Sequence, residues 1–549
     1  MVRLSLIIVF LALIAAASCV YASPISVPLD HWSYHFIERL QAKGILRDYL
    51  SNIKPYSRDE MADMVVHISS LLENGKVALS RAEKDQLDLM KSYLAPELIE
   101  LGETEVTGYK YLLEWSSAGK KVVTEVGYAQ RAAVKRGTED YEDYRSTIQV
   151  VLWGNLEGGF FFYNDSRASY QHTDEPLPLW NPYIIETRYP WDTFSDSYLI
   201  FRFPWADVQM GKDAVLWGPG HHGVVGLSGV DPTFDVVRLP IQVWKIKFVS
   251  ILGFLRDDLT REHKSDVVRK YVSAHRIEIR PFSGLSIGWQ EVYIYENLHL
   301  QSLNPIMPYQ MAEDYLGDSG NNTMEGDIDL CVLPNTRLYA SLFLDDLHPR
   351  ESFFKYSANR WAALSGVLVV DPFGLENFDF RVEYARVEPW VYPHKGIIQN
   401  PPVPLSYKHF DTPLGHWIGP NADDLFFEAN HSFSRDLLAT LSYSRIRKGE
   451  IGGSLYDYDP KGFYDRELGT GTEKRFLMGI VEKTRTISLG LTYRIFQDSM
   501  IKVDYSHTRI NNKQTEEAKL PGSDTRKQPW ESGRDWTQNI LQATVSLRY

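Results

Sequence analysis

The chain has 549 residues, with 58 Lys plus Arg against 71 Asp plus Glu and a formal net charge of −13, so it lacks the basic balance of a nucleic-acid binder. Hydrophobic residues at 44% and charged residues at 23% exclude a disordered or low-complexity chain. Aromatics reach 13%, with 32 Tyr, 25 Phe and 14 Trp, while a mean hydropathy of −0.28 is too polar for a bundle of membrane helices.

At the N-terminus, Arg3 precedes an apolar run from Leu4 to Ala17. That run matches the hydrophobic region of an export signal and is short for a membrane span. Val20-Tyr21-Ala22 supplies small residues on either side of Tyr21, so residues 1–22 are expected to be a signal peptide cleaved after Ala22. A lipoprotein cut before Cys19, after Ala16-Ala17-Ser18, is the competing reading. Cys19 and Cys331 are the two cysteines, so the mature chain is expected to keep one and to form no internal disulfide. No later segment carries about 18 consecutive apolar residues, so any membrane span must be built of strands.

Residues 23–105 read as a small helical domain. Between His31 and Lys43 the residues Phe36, Ile37 and Leu40 share one face, and Gly44 stops the helix. Ser57-Arg58-Asp59-Glu60 and Ser80-Arg81-Ala82-Glu83 are capping boxes, in which the Ser side chain and the Glu side chain satisfy each other's backbone N–H. Met61, Met64, Val65, Ile68, Leu71 and Leu72 follow the first box at helical spacing, and Leu87, Met90 and Leu94 follow the second. Pro96 is expected at the end of the third helix, and residues 106–120 are expected to be a linker.

Beyond residue 120 the period falls to two. Leu541, Ala543, Val545, Leu547 and Tyr549 alternate with Gln542, Thr544, Ser546 and Arg548, and similar runs occupy Ile487–Ile495 and Leu437–Tyr443. A sandwich also alternates, but here tight turns alternate with long polar connections, as in outer-membrane barrels. Tight turns are expected near Gln497-Asp498, Ser434–Asp436, Pro372–Gly374, Pro334-Asn335, Phe282–Gly284, Pro240, Pro204-Trp205, Asn155 and Ser117–Gly119. Nine longer connections between them give 18 antiparallel strands over 121–549, and the even number puts both barrel ends on the side of the helical domain. The fold class is therefore mainly β: a barrel of about 18 strands in the bacterial outer membrane, preceded by a periplasmic helical domain, with its long loops outside.

Catalytic motifs are weak. Gly317-Asp318-Ser319-Gly320 looks like a protease nucleophile segment but lies in a polar connection, and Gly226–Val230 fails the nucleophile-elbow pattern at its last position. No H-E-x-x-H, P-loop or C-x-x-C is present, so the expectation is a non-enzyme with no cofactor and no metal.

The most distinctive stretch runs from Gly211-Lys212 through Trp217-Gly218-Pro219-Gly220-His221-His222-Gly223 to Leu227-Ser228 and Phe234–Leu239. With the signal, helical domain and barrel, it resembles the Wzi-like capsule assembly proteins of the bacterial outer membrane. That resemblance implies an 18-stranded barrel acting as a lectin that attaches or organises capsular polysaccharide. A second resemblance competes: Asp30-His31-Trp32, Gly44-Ile45-Leu46 and Pro55–Glu60 look like an S-layer-homology module, which implies a porin with a cell-wall-binding domain.

For the lectin reading the expected polysaccharide-binding residues are Trp217, His221, His222 and Arg238. The 212–234 connection is rich in glycine and in apolar side chains, so it is expected to fold inward or across the mouth, where these four residues would line a constriction. Trp180, Trp191, Trp390, Trp417 and Trp530 are further aromatic candidates for stacking on sugar rings, against the alternative of interfacial girdles or loop packing. The expected partners are exported polysaccharide, outer-membrane lipids and the barrel-assembly machinery, which the terminal run ending in Tyr549 resembles a signal for.

Overall fold

A computed structural model describes residues 23–103, 106–117, 119–156, 159–173, 196–204, 206–229, 233–258, 267–317, 320–394, 405–410, 412–455, 473–513 and 532–549. The expected signal peptide, Trp180, Trp191, Trp530, Asp318 and Ser319 lie outside these residues.

The N-terminal segment folds as α1 (Ser33–Ala42), α2 (Arg58–Glu73), α3 (Arg81–Tyr93) and α4 (Ala95–Glu100). Both capping boxes form: Ser57 and Ser80 accept from the backbone N–H of Glu60 and Glu83, whose carboxylates accept from the Ser backbone N–H at 2.9 Å each. Phe36, Leu40, Met61, Ile68, Leu87, Met90 and Leu98 meet in one dry core. The third helix ends at Tyr93, just ahead of Pro96 as expected, but the fourth helix that follows was not anticipated. Proline's missing N–H costs nothing in a first turn, so it also opens this one.

Among the described residues, 18 antiparallel strands close into a barrel. The first, Lys120–Gly137, pairs with the last, Trp536–Arg548, from Arg548↔Gly127 to Gln538↔Gly137. Tyr549 and Val126 exchange both backbone hydrogen bonds at 3.0 and 2.8 Å, which completes the seam. Leu113–Ser117, in the stretch expected to be a linker, forms a short extra strand on the free edge of Lys120–Thr124 below that seam.

The alternation aims one face of each strand outward. Leu441, Leu489, Tyr505 and Leu541 sit side by side across four strands, and all are 42–53% exposed. A continuous apolar belt of this kind needs lipid. Strands turn tightly at 497–498, 434–436, 371–377, 334–335 and 283–284, as expected, and the pairs Phe203↔Ala206 and Ser117↔Lys120 close the two expected further upstream. Two turns differ. Pro240 lies inside the strand Phe234–Val243, and the turn falls at Trp244-Lys245. Pairing to Ala206–Asp213 has already ended at Gln209↔Arg238, so a residue without an N–H is tolerated on that edge. The turn expected at Asn155 lies beyond Leu156, because Asn155 still pairs with Phe161.

The helical domain sits in the tight-turn end of the barrel. Glu38 meets Arg381 and Arg337, Arg39 meets Asp379 and Asp371, and Glu60 meets Lys247. Asp59 meets Arg202, and His31 meets Asp498. These partners come from strands all round the wall, so the domain stops that mouth like a cork.

Candidate functional site

Residues 214–229 leave their strand and run into the lumen. Leu216–Trp217 pairs with Ile53–Lys54 of the helical domain, in the register Trp217↔Ile53. The Trp217 N–H reaches Leu227 O at 2.8 Å and the Gly218 N–H reaches Asn52 O at 2.8 Å. Gly218 turns the chain at φ 119, a conformation that L side chains rarely adopt. Val215, Trp217, Val225 and Leu227 then join Val249, Ile251, Val272, Val292 and Leu364 of the wall in a single apolar core. The apolar content of the connection drives this, since lumenal water offers its side chains nothing.

A second connection, between Phe378–Val387 and Ala422–Ser432, packs against the first. Tyr392 Oη donates to Val225 O at 3.0 Å and accepts from the His416 N–H at 2.9 Å, while the Ser228 N–H reaches Leu414 O at 2.8 Å. Trp390 and Tyr392 both have positive φ, 60° and 82°, a strain worth about 1–3 kcal/mol each that full burial of both rings must hold in place.

These two segments position His221 and His222. The Glu383 carboxylate accepts both backbone N–H groups at 2.8 Å, and it is itself fixed by Tyr339 Oη at 2.7 Å. His222 Nδ1 lies 2.8 Å from Asp424, and its ring stacks on Phe426 at 3.8 Å and 7°. Trp417 Nε1 donates to His222 O at 2.6 Å, its ring edge-on to the imidazole and 47% exposed. His221 Nε2 lies 3.1 Å from Glu428 and its Nδ1 lies 3.7 Å from Glu38. Burial and Arg381 oppose a charge on His221, but Glu428 and Glu38 outweigh them and hold its pKa up at about 9. Burial pushes the neighbouring His416 down to about 3, so that ring stays neutral.

The four expected residues therefore divide. His221 and His222 come together with Trp417 as a shelf whose exposed surface is these three side chains, over a buried base of Phe426 and Asp424. Trp217 is fully buried and presents no surface to a ligand; its ring fills the lumen. Arg238 is 5% exposed and faces Asp213 at 3.8 Å, on the wall eight strands round from the histidines, so the four do not line one constriction. Glu383, Asp424, Phe426 and Glu428 were not anticipated. Their signal was available: each sits at an inward position of an alternating strand, and a carboxylate there needs a partner.

A closed barrel with a lipid-facing belt, a helical cork and a lumen filled by its own connections defines a membrane-embedded β-barrel. The chain belongs to the Wzi capsule assembly family: the model described as capsule assembly protein Wzi matches residues 118–520. The fold is similar to that of Wzi from Escherichia coli, described as an outer membrane protein involved in group 1 capsule assembly and a carbohydrate-binding β-barrel. The TM-score is 0.57 at 12% identity, covering 96% of this chain and 99% of that one. Similarity to Pseudomonas aeruginosa OccK5 (OpdH) and OccK11 (OpdR) is slighter, with a TM-score of 0.43 for each, 9% and 10% identity, and coverage of 78% of this chain and 98% and 96% of theirs. No curated protein sequence matches the chain.

Proposed function

We propose that this protein is a non-enzymatic outer-membrane lectin that holds capsular or other exported polysaccharide at the cell surface. In this reading residues 1–22 direct export, 23–105 form a periplasmic cork, 106–120 lead into the barrel, and 121–549 span the membrane with the long loops outside. The observation that carries it is the shelf of His222, Phe426 and Trp417. A half-exposed indole offers a face for a sugar ring, and the partly exposed His221, His222 and Glu428 offer donors and acceptors for its hydroxyls. Family membership agrees with that chemistry. The polar outer loops and the terminal Tyr549 suit the expected contacts with outer-membrane lipids and the assembly machinery.

The porin alternative is disfavoured by the lumen. Trp217, Val225, Leu227, Tyr392 and Leu414 occupy it, and the cork stops one end. Its companion reading, a wall-binding module, is disfavoured by how the motif residues are used: His31, Asp59 and Glu60 dock onto Asp498, Arg202 and Lys247 of the barrel. Trp32 lies under Arg494 at 4.6 Å. The test is polysaccharide retention. Cells lacking the protein should shed capsule into the medium, and a Trp417→Ala/His222→Ala variant that assembles normally should fail to restore it; full restoration would refute the shelf as the contact.

A further inference from the structure

On the outer face of the barrel, three arginines stand directly opposite one another on adjacent strands. Arg445 pairs in register with Arg485, and Arg485 with Arg509. All three are exposed. They share the parity of Leu441, Leu489 and Tyr505, which are exposed belt residues, so they point away from the lumen. One step toward the tight turns lies the row Tyr443, Ile487 and His507, and beneath it the apolar belt. One step the other way, Lys483 stands opposite Arg447.

Directly opposed residues have Cβ atoms about 5 Å apart, and like charges in that relation destabilise a sheet. Compensation from the chain is thin. Arg447 is held by Asp423 at 2.9 Å, but among the described residues Arg445, Arg485 and Lys483 meet no carboxylate. Asp535 lies 3.9 Å from Arg509, with both side chains more than half exposed, where an ion pair contributes little. On a chain with net charge −13, a row of three positive charges whose one carboxylate contact among the described residues is the exposed Asp535 marks a place kept for an external anion.

We propose that Arg445, Arg485 and Arg509, with Lys483 above them, bind the phosphate groups of an anionic lipid headgroup in the membrane leaflet at the long-connection end. The position selects lipid over a soluble polymer: the guanidinium groups project from the lipid-facing surface at the height where apolar side chains give way to charge. Guanidinium forks match phosphate oxygens two at a time, and three in a row span neighbouring phosphates. Bound phosphate turns the mutual repulsion of the row into attraction, so the lipid stabilises the barrel.

The test compares thermal unfolding of the full chain in phosphatidylcholine vesicles with and without a phosphorylated glucosamine lipid. Wild type should melt higher in the anionic vesicles. Arg445→Gln/Arg485→Gln/Arg509→Gln should melt at or above wild type in phosphatidylcholine alone, because the repulsion is gone, and should lose the lipid-dependent rise. Arg485→Gln alone, the milder change, should reduce that rise if the triple variant fails to assemble. An equal rise in wild type and variants would overturn the proposal. So would a rise produced by inorganic phosphate or a soluble acidic polysaccharide and not by the lipid.

Discussion

Glu38 of α1 lies 2.7 Å from Arg381 on the inner wall of the barrel, and both side chains are almost wholly buried. Arg337 and Lys54 reach the same carboxylate at 3.4 and 3.2 Å. Burial alone would raise the Glu38 pKa, but Arg381 and Lys54 outweigh it and hold the carboxyl well below the usual range. One carboxylate therefore ties the cork to the wall, and neighbouring His221 ties the same point to the shelf.

Glu38→Ala leaves Arg381 and Lys54 buried without the carboxylate they share, while Arg337 keeps Asp329 at 2.7 Å. Breaking a buried pair from one side costs about 3–5 kcal/mol. The barrel should still close, since its backbone ladder is untouched, but α1–α4 should become sensitive to protease and the planar-bilayer conductance should rise from a low wild-type value. Protease resistance and conductance equal to wild type would contradict the cork.

The shelf should depend on pH. His221 has a folded pKa of about 9, above the ordinary histidine value of about 6.5. Its charge therefore contributes stability that is fully present below about pH 6.5 and is lost as pH rises through about 9. Hydrogen exchange of the His221 and His222 amides should accelerate between pH 7 and 10 beyond the intrinsic increase. His221→Gln should remove that excess.

Two tryptophans of the filled mouth should behave oppositely. Trp217→Ala empties a fully buried site and should cost about 3–5 kcal/mol of stability, seen as a lower temperature for loss of heat-modifiable mobility on gels. Trp417→Ala removes a ring that is 47% exposed, so it should leave that temperature within about 1 kcal/mol of wild type while reducing polysaccharide retention.

Gly223→Ala should separate seating of the shelf from barrel assembly. A Cβ there would stand 2.5 Å from His416 Nε2, and the His416 ring is enclosed on all sides. The turn carrying His221 and His222 must shift, so retention should fall although the folded barrel band persists. Retention at the wild-type level would show that the turn has room.

The C-terminus gives the last expectation. Tyr549→Asp puts a charge on the lipid face beside the seam and should lower the yield of folded barrel. Arg548 points inward, with Nη2 3.1 Å from Gln149 Oε1, so Arg548→Ala should assemble and then unfold at a lower temperature. Equal yields for the two variants would refute the assembly role of Tyr549.

Most of the barrel was legible in the chain because its determinants are local. Alternation at period two assigns each side chain of Leu437–Tyr443 or Leu541–Tyr549 to a face, and turn residues such as Gln497-Asp498 mark where the chain reverses. Where a local sign misled, as at Pro240, the deciding fact was whether a neighbouring strand was still paired at that height, and the neighbour is remote in sequence. Capping boxes fixed two helix starts for the same local reason, as the four residues involved satisfy one another.

The site belongs to the other kind of information. That the glycine-rich 212–234 connection folds inward could be argued from its composition, and Trp217, Val224, Val225, Leu227 and Phe234 are indeed buried. Which of its side chains stay open could not. Trp217 is sealed because Ile53, over 160 positions earlier, pairs with it, and His222 is presented because Asp424, Phe426 and Trp417 converge on it. Period and propensity are set by neighbours within a few residues of each other. The partners of a lumenal side chain are chosen by barrel closure, which brings distant strands to one height and leaves each buried charge to find its counter-ion there.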